Sequence, residues 1–188
     1  FFSLLMGVVL LVVFVVGLYT MREFSLYTAE RHARSVAETV IASLTESMVN
    51  GTTIKRAQFQ ERLKAVPGVR RIKIVPAPSV EEQFGKGLGP ARVEEKGEAD
   101  VLERGQAVFQ LIEQDDVLVF RAIIPYIATD TGTPNCLQCH ATSTGAVLGA
   151  ISIDIPVDGV KRQAIATVLL LGLFVFITVL IALFLLRR

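Results

Sequence analysis

The sequence is poor in several residue types that often carry chemistry in proteins. Among its 188 residues there is no tryptophan, and there are only two cysteines, two histidines and three methionines. An excess of charge of either sign is also missing, because 19 Lys and Arg stand against 18 Asp and Glu. Since no basic patch marks an electrostatic footprint, we do not expect nucleic acid as a partner.

Charge is absent from two long apolar stretches at the ends of the chain. Residues 1–20 and 164–186 contain no charged side chain. As helices they measure about 30 Å and roughly 35 Å, enough to cross the hydrocarbon core of a bilayer. A cleaved signal peptide and a buried core helix are the alternatives, and both are typically shorter. We predict two transmembrane helices in contact with lipid, residues 1–20 and 163–186, separated by one domain of residues 21–162.

The ends of the chain do not orient it in a membrane. The sequence begins with Phe1 rather than with methionine, and no basic residues flank the first apolar stretch on that side. We therefore expect that further residues precede Phe1 in the full protein. Two arginines follow the second apolar stretch, yet Lys161 and Arg162 come just before it. The preference of Lys and Arg for the cytoplasmic side therefore does not decide the orientation.

The segment between the apolar ends has the pattern of an α+β domain. Residues 21–50 lack Pro and Gly and predict a helix that continues the first span and stops at Asn50 and Gly51. Residues 58–65 predict a short second helix. Apolar alternation predicts strands at residues 69–75, 107–112, 117–124 and 147–156, with residues 79–100 as a surface loop. We expect a long N-terminal helix packed on an antiparallel meander of about four or five strands.

Both cysteines and one histidine lie together in the segment "NCLQCHAT". In the spacing C-x-x-C-H the two thiols can form thioethers with the vinyl groups of a haem, and the adjacent imidazole can bind the iron. We therefore predict one covalent haem c, held by Cys136 and Cys139, with His140 as an axial ligand. Haem attached in this way is fixed outside the cytoplasm, which would place residues 21–162 in the periplasm.

Three other uses of the two cysteines remain open at this point. A zinc site needs four ligands, and His32 is the only further histidine. A thioredoxin-like pair needs its first cysteine at a helix N-terminus in a βαβ unit, whereas this pair lies between predicted strands. A structural disulfide across two intervening residues would close a small loop and contribute little stability.

The second axial ligand of the iron is a choice between two residues of the long helix. Met48 falls within about 20° of Ala37 and Ile41 on a helical wheel, on the apolar stripe expected to face the core. We predict Met48 as an iron ligand, with a core-filling methionine as the alternative. His32 falls on the polar face and is expected to be a solvated or helix-packing histidine, with a haem in a second subunit as the alternative. Water or a gas at the sixth position also remains open.

Three segments of the chain resemble parts of a known group of proteins: "SMVNGT" (residues 47–52), "NCLQCHA" (residues 135–141) and "GAVLGAISIDIPV" (residues 145–157). In order and placement the chain resembles the periplasmic c-type haem sensor domains of PAS/Cache-like type found in bacterial chemoreceptors and sensor histidine kinases. The resemblance implies a protein of the bacterial inner membrane, with Met48 in the place of a distal methionine. The chain departs from full receptors at Arg188, where a HAMP segment and a signalling output would follow.

Two functions follow from this interpretation. The first is a redox or gas sensor that signals across the membrane as a homodimer. The second is a membrane-anchored electron-transfer cytochrome or a haem-bearing subunit of a respiratory or photosynthetic complex. We do not expect an enzyme, because the sequence contains no recognisable carboxylate pair, Ser–His arrangement or open metal triad.

Overall fold

The structure, a computed structural model, describes residues 2–50, 63, 65–85, 93–132 and 134–186. Two compact units are present, Phe1–Thr28 with Val157–Arg188 and, separately, Ala29–Pro156. The elements in chain order are α1 (Phe2–Val49), β1 (Arg71–Pro76), α2 (Pro78–Phe84), α3 (Lys96–Arg104), β2 (Val108–Gln114), β3 (Val117–Ile127), β4 (Val147–Pro156) and α4 (Asp158–Leu186). The chain is therefore an α+β protein with a long N-terminal helix, as the sequence predicts.

Helix α1 is a single uninterrupted helix of 48 residues. Its end is marked by Asn50, whose backbone N–H donates to Glu46 O at 3.1 Å and whose side chain donates to the Glu46 carboxylate at 2.6 Å. The predicted helix through residue 50 is thus confirmed. The predicted short helix at residues 58–65 lies almost entirely outside the described residues.

Only one helical stretch in the described part of the chain, Leu11–Val49, has the length and composition to cross a membrane, a criterion that a signal sequence near an N-terminus also meets. In α4 the corresponding apolar stretch, Ala166–Ala182, is shorter. The structure thus supplies one candidate span where the sequence predicts two. Apart from Met48 and Val49, the exposed large apolar side chains of α1 and α4 belong to the unit of Phe1–Thr28 and Val157–Arg188.

The sheet of the second unit has four antiparallel strands in the order β1-β4-β3-β2. Strands β2, β3 and β4 form the predicted meander, with Arg121 opposite Asp154 in the β3–β4 register. Strand β1 departs from a simple meander because it pairs with β4 rather than with β2. Strands β1 and β2 lie at opposite edges of the sheet, so the chain between them must pass from one edge to the other.

Strand β3 continues past the point where the sequence predicts its end. Pro125 was expected to close the strand, yet β3 runs to Ile127 and Pro125 lies opposite Ala150 of β4. Pairing with β2 ends at Ile123. Because Pro125 has a strand neighbour on one side only, its missing N–H costs no ladder hydrogen bond.

One face of the sheet is covered by α1. The buried residues of this helix recur at spacings of three and four, as an apolar stripe requires: Ala29, Ala33, Val36, Ala37, Val40 and Leu44. The Arg34 guanidinium lies 4.8 Å from the centre of the Phe109 ring of β2. The Thr45 hydroxyl lies 3.0 Å from the Tyr126 hydroxyl of β3. These contacts place the C-terminal half of α1 on the Phe109 and Tyr126 side of the sheet.

The prediction of a surface loop at residues 79–100 is wrong, because the chain there contains α2 and α3. Glu98 in the first turn of α3 accepts hydrogen bonds from the backbone N–H groups of Glu94 and Glu95, at 2.9 and 3.4 Å. Gly105 ends α3 in the left-handed conformation, with φ 65°. Gly97 allows close packing, since a Cβ there would meet Ile123 Cδ1 at 2.8 Å. The polar composition of this segment suggested a loop, although it contains the capping pattern of an amphipathic helix.

The second face of the sheet is covered as well, although the alternation of apolar and polar residues in β4 is typical of a strand with one buried face. Ser152 and Asp154 are each about 1% exposed. The Arg121 guanidinium donates to both Asp154 oxygens, at 2.6 and 2.7 Å, and also binds Glu95. Lys73 binds the fully buried Glu98 at 3.0 Å. Charged residues from β1, β3, β4 and α3 thus form a buried ion cluster beneath α3.

Candidate functional site

The C-x-x-C-H segment lies in the connection between β3 and β4, residues 128–146, here called the cysteine loop. Its two ends are joined because Ala128 N–H donates to Ala146 O at 2.8 Å and Gly145 N–H donates to Ala128 O at 2.9 Å. Cys136 N–H donates back to Thr129 O at 3.1 Å. These bonds close the loop on itself, so its position depends on the adjacent ends of two central strands.

The two cysteines are separated by one tight turn. Residues Cys136–Gln138 form a 3₁₀ turn whose start is capped by Asn135, because the Asn135 side-chain oxygen accepts from Gln138 N–H at 3.2 Å. Both thiols are free, with Cys136 partly buried and Cys139 exposed. The turn therefore presents two thiols that form no disulfide, one at each end.

His140 is drawn into the same turn by its backbone. Its N–H donates to Cys136 O at 2.9 Å, while the residue as a whole is 9% exposed. Its ring meets the Phe84 ring edge-on, with centres 5.1 Å apart. Burial lowers the pKa of His140, which favours the neutral imidazole. Its Nδ1 atom is buried and has no hydrogen-bond partner in the described part of the chain.

The end of helix α2 holds the backbone on both sides of His140. Gln83 Nε2 donates to Cys139 O at 3.1 Å, and Gln83 Oε1 accepts from Ala141 N–H at 3.1 Å. Phe84, the next residue, supplies the ring contact. The last two residues of α2 thus touch the peptide groups and the imidazole of the cysteine loop.

A short chain of polar contacts joins Cys136 to helix α1. Cys136 Sγ lies 4.0 Å from the Tyr126 hydroxyl, which lies 3.0 Å from Thr45 Oγ1. Thr45 donates its own proton to Ile41 O at 2.9 Å, so it accepts from Tyr126. Burial, the largest influence, raises the pKa of Tyr126, so its hydroxyl stays protonated at neutral pH. The first cysteine is therefore coupled to the last turns of α1 through Tyr126.

The two predicted alternatives for the second axial ligand lie at different places on α1. Met48 is 47% exposed, so the prediction that it faces the core does not hold. It lies three residues after Thr45, hence on the same side of the helix, one turn beyond the contact with Tyr126. His32 lies roughly 20 Å earlier along α1, with Nε2 3.3 Å from Pro67 O. His32 thus contacts the segment before β1.

The donor groups of the loop do not form a metal cage. Within the described ranges no three His, Cys, Asp or Glu side chains are gathered around a common point that could hold a metal ion. Cys136, Cys139 and His140 therefore do not converge in the way zinc ligands would.

A cleft of about 660 Å³ opens beside the ends of the cysteine loop. Its lining includes Ile127 and Val147 at the ends of the loop, Pro78 and Ser79 at the start of α2, and Leu102 and Arg104 in α3. The cleft is thus bordered by the helix that also holds His140.

Sequence reasoning identified the three residues of the motif and missed the residues that support them. Gln83 and Phe84 lie in the segment taken for a loop, and Tyr126 lies beyond the predicted end of β3. The only signal for α2 is Pro78 at its first turn, followed by residues that favour a helix. Gln83 and Cys139, which are in contact, lie 56 positions apart in the sequence. No local sequence pattern predicts a contact over that separation.

No known protein-family model matches the chain, and none of the curated proteins is similar to it in sequence.

Proposed function

We propose that the protein is a membrane-anchored c-type haem protein that serves as the sensory input of a transmembrane signalling system. Cys136 and Cys139 would hold one haem through thioether bonds, and His140 would bind the iron. The observation that carries this proposal is the turn of residues 136–140, which combines two free thiols with a neutral imidazole bonded through its backbone to the first cysteine.

The residues present fit such a group. Two thiols three positions apart, with no disulfide between them, are what two thioether bonds require. The adjacent imidazole completes a donor set that suits a covalent haem. When bound, the haem would supply one-electron redox chemistry or a coordination site for a small ligand.

Met48 remains the favoured second axial ligand. The contact between Thr45 and Tyr126 brings the last turns of α1 to the cysteine loop, and Met48 lies in those turns with half of its side chain exposed. A thioether opposite an imidazole raises the reduction potential of a haem. His32 lies roughly 20 Å away along the helix and is not suited to the same site.

The sensory role rests on the continuity of α1. The helix that contains Thr45 and Met48 is the same uninterrupted helix that contains the candidate membrane span. If Met48 helped to hold the haem, a local change at that site would act on α1 directly, and such a change can shift the balance between two states of a helix. We propose a second span at residues 163–186, a periplasmic domain in the bacterial inner membrane, and a homodimer.

Covalent attachment is tested on the full chain expressed with the cytochrome c maturation machinery. We expect a pyridine haemochrome spectrum and a mass excess of one haem that survives denaturation. Replacing both cysteines with alanine should remove both signals, whereas Gln138→Ala, between the cysteines and exposed, should retain them. A colourless wild-type protein, or pigment that passes into acidified organic solvent, would contradict the proposal.

The sensory role is tested by hydrogen exchange on the oxidised and reduced protein. If the iron acts on α1, exchange in the last turns of the helix should differ between the two redox states, and Met48→Ala should abolish that difference. A simple electron carrier needs no such change. Equal exchange in both states would therefore favour the membrane-anchored electron-transfer cytochrome or a haem-bearing subunit of a larger complex.

A further inference from the structure

We propose that Gln83 is the positioning residue of His140, and that α2 orients the imidazole toward the iron. The inference rests on the proposed function, since it assigns to Gln83 a role in iron ligation. It does not depend on which residue occupies the opposite side of the iron.

The geometry is a two-point clamp. The Gln83 carboxamide donates to Cys139 O and accepts from Ala141 N–H, both at 3.1 Å. These two peptide groups lie immediately before and after His140. A carboxamide carries a donor and an acceptor side by side, so it can hold both peptide groups at once, much as a neighbouring strand would.

The imidazole needs such support because its own second nitrogen provides none. Histidine ligands are usually oriented by a hydrogen bond from the nitrogen that does not bind the metal. His140 Nδ1 is buried without a partner in the part of the chain that the structure describes. The ring is held instead by its backbone and by the edge-on contact with Phe84. Orientation thus depends on the clamp and on the ring beside it.

A role for α2 in the core does not account for these contacts. The helix has seven residues and buries none of its side chains, and both Gln83 and Phe84 are exposed. Its last two residues nevertheless make three separate contacts with the cysteine loop. The position of Gln83 is therefore explained by what it holds rather than by what it buries.

The test compares Gln83→Ala and Gln83→Glu with wild type in the full chain with haem attached. The matched control is Glu82→Gln, an exposed neighbour on the same helix. For Gln83→Ala we expect unchanged haem content, amide exchange at Ala141 faster by about tenfold, and a larger high-spin fraction of ferric haem. Gln83→Glu retains the acceptor for Ala141 and loses the donor to Cys139, so exchange at Ala141 should stay near wild type while the spin state shifts partly.

The outcomes separate the two proposals. If Gln83→Ala keeps its haem and leaves the spin state unchanged, the positioning role is refuted whether or not exchange at Ala141 accelerates, and the proposed function stands. A spectral change in Glu82→Gln as large as that in Gln83→Ala would also refute the clamp. If the wild-type protein carries no covalent haem, the proposed function fails, and the positioning role fails with it.

Discussion

Two polar clusters of the same domain differ in how their groups are used. In the buried ion cluster Arg121 is bonded to both oxygens of Asp154 and to Glu95. In the cysteine loop the thiols of Cys136 and Cys139 are free and one His140 nitrogen has no partner. The paired charges of Arg121 and Asp154 stabilise the fold, although Glu98 Oε1 in the same cluster has no hydrogen-bond partner among the described residues. Thiols that form no disulfide remain able to react, so the comparison leaves the cysteine loop as the candidate functional site.

The ion cluster also shows why composition alone misplaces charged residues. Glu98 is fully buried and Arg121 is 4% exposed, although both residue types are usually at the surface. The Asp154 carboxylate, as the largest influence, raises the pKa of Arg121, so the guanidinium stays charged. Burial is tolerated because the charges come together from four different elements.

The largest expected effect comes from breaking the buried cluster. Asp154→Ala would leave Arg121 buried without its main partner, and we expect the free energy of unfolding to fall by about 3–5 kcal/mol. Denaturant unfolding in detergent micelles, followed by circular dichroism, measures the change. The control is Glu30→Ala, which removes the exposed pair with Arg34 on α1 and should cost about 0.3–0.5 kcal/mol. Similar losses for both variants would show that the buried ion cluster stabilises the fold no more than an exposed ion pair does.

An intermediate effect is expected from Tyr126→Phe, because Tyr126 connects the cysteine loop to α1. The variant retains the ring and removes the hydroxyl that lies against Thr45 and Cys136. Loss of the bond to Thr45 should lower the free energy of unfolding by about 1 kcal/mol. Under the proposed function it should also weaken the effect of the redox state on exchange in α1. A variant that keeps the full redox difference would show that the coupling does not pass through Tyr126.

The smallest effect on stability is expected from Cys139→Ala, in the cysteine loop. Cys139 is exposed, so its replacement should change the free energy of unfolding by less than about 0.5 kcal/mol. Wild type and variant are compared after expression without the maturation machinery, so that both lack haem. The same substitution should remove one of the two thioether bonds in matured protein. A loss of several kcal/mol in the haem-free chain would assign Cys139 to the fold instead.

The strands and the long helix were largely predictable, and the segment between β1 and β2 was not. Strand β4 was predicted with its observed bounds because Ile151, Ile153 and Ile155 alternate with polar residues. The segment of residues 79–100 was misjudged because Glu98 and its neighbours appear as solvent-exposed charges when they are considered without Lys73. Lys73 and Glu98 lie 25 positions apart in the sequence, so a local sequence pattern does not reveal that they form an ion pair.

The candidate site divides in the same way. Cys136, Cys139 and His140 were found because their chemistry depends on spacing along the chain. Gln83, Phe84 and Tyr126 were missed because their value lies in contacts made across the fold. For Met48 the helical wheel gave the wrong degree of burial, since a wheel does not show which turns of the helix the sheet covers.

The sequence by itself determined the apolar ends, the alternation of the strands and the five-residue motif, because each depends on periodicity or on neighbours along the chain. Tertiary structure alone decided that β1 lies beside β4, that α3 covers an ion cluster, and that α2 holds the peptide groups around His140. The physical reason is that burial and hydrogen bonding depend on distance in space. A charge or an amide acquires its role only when the fold brings a partner to it.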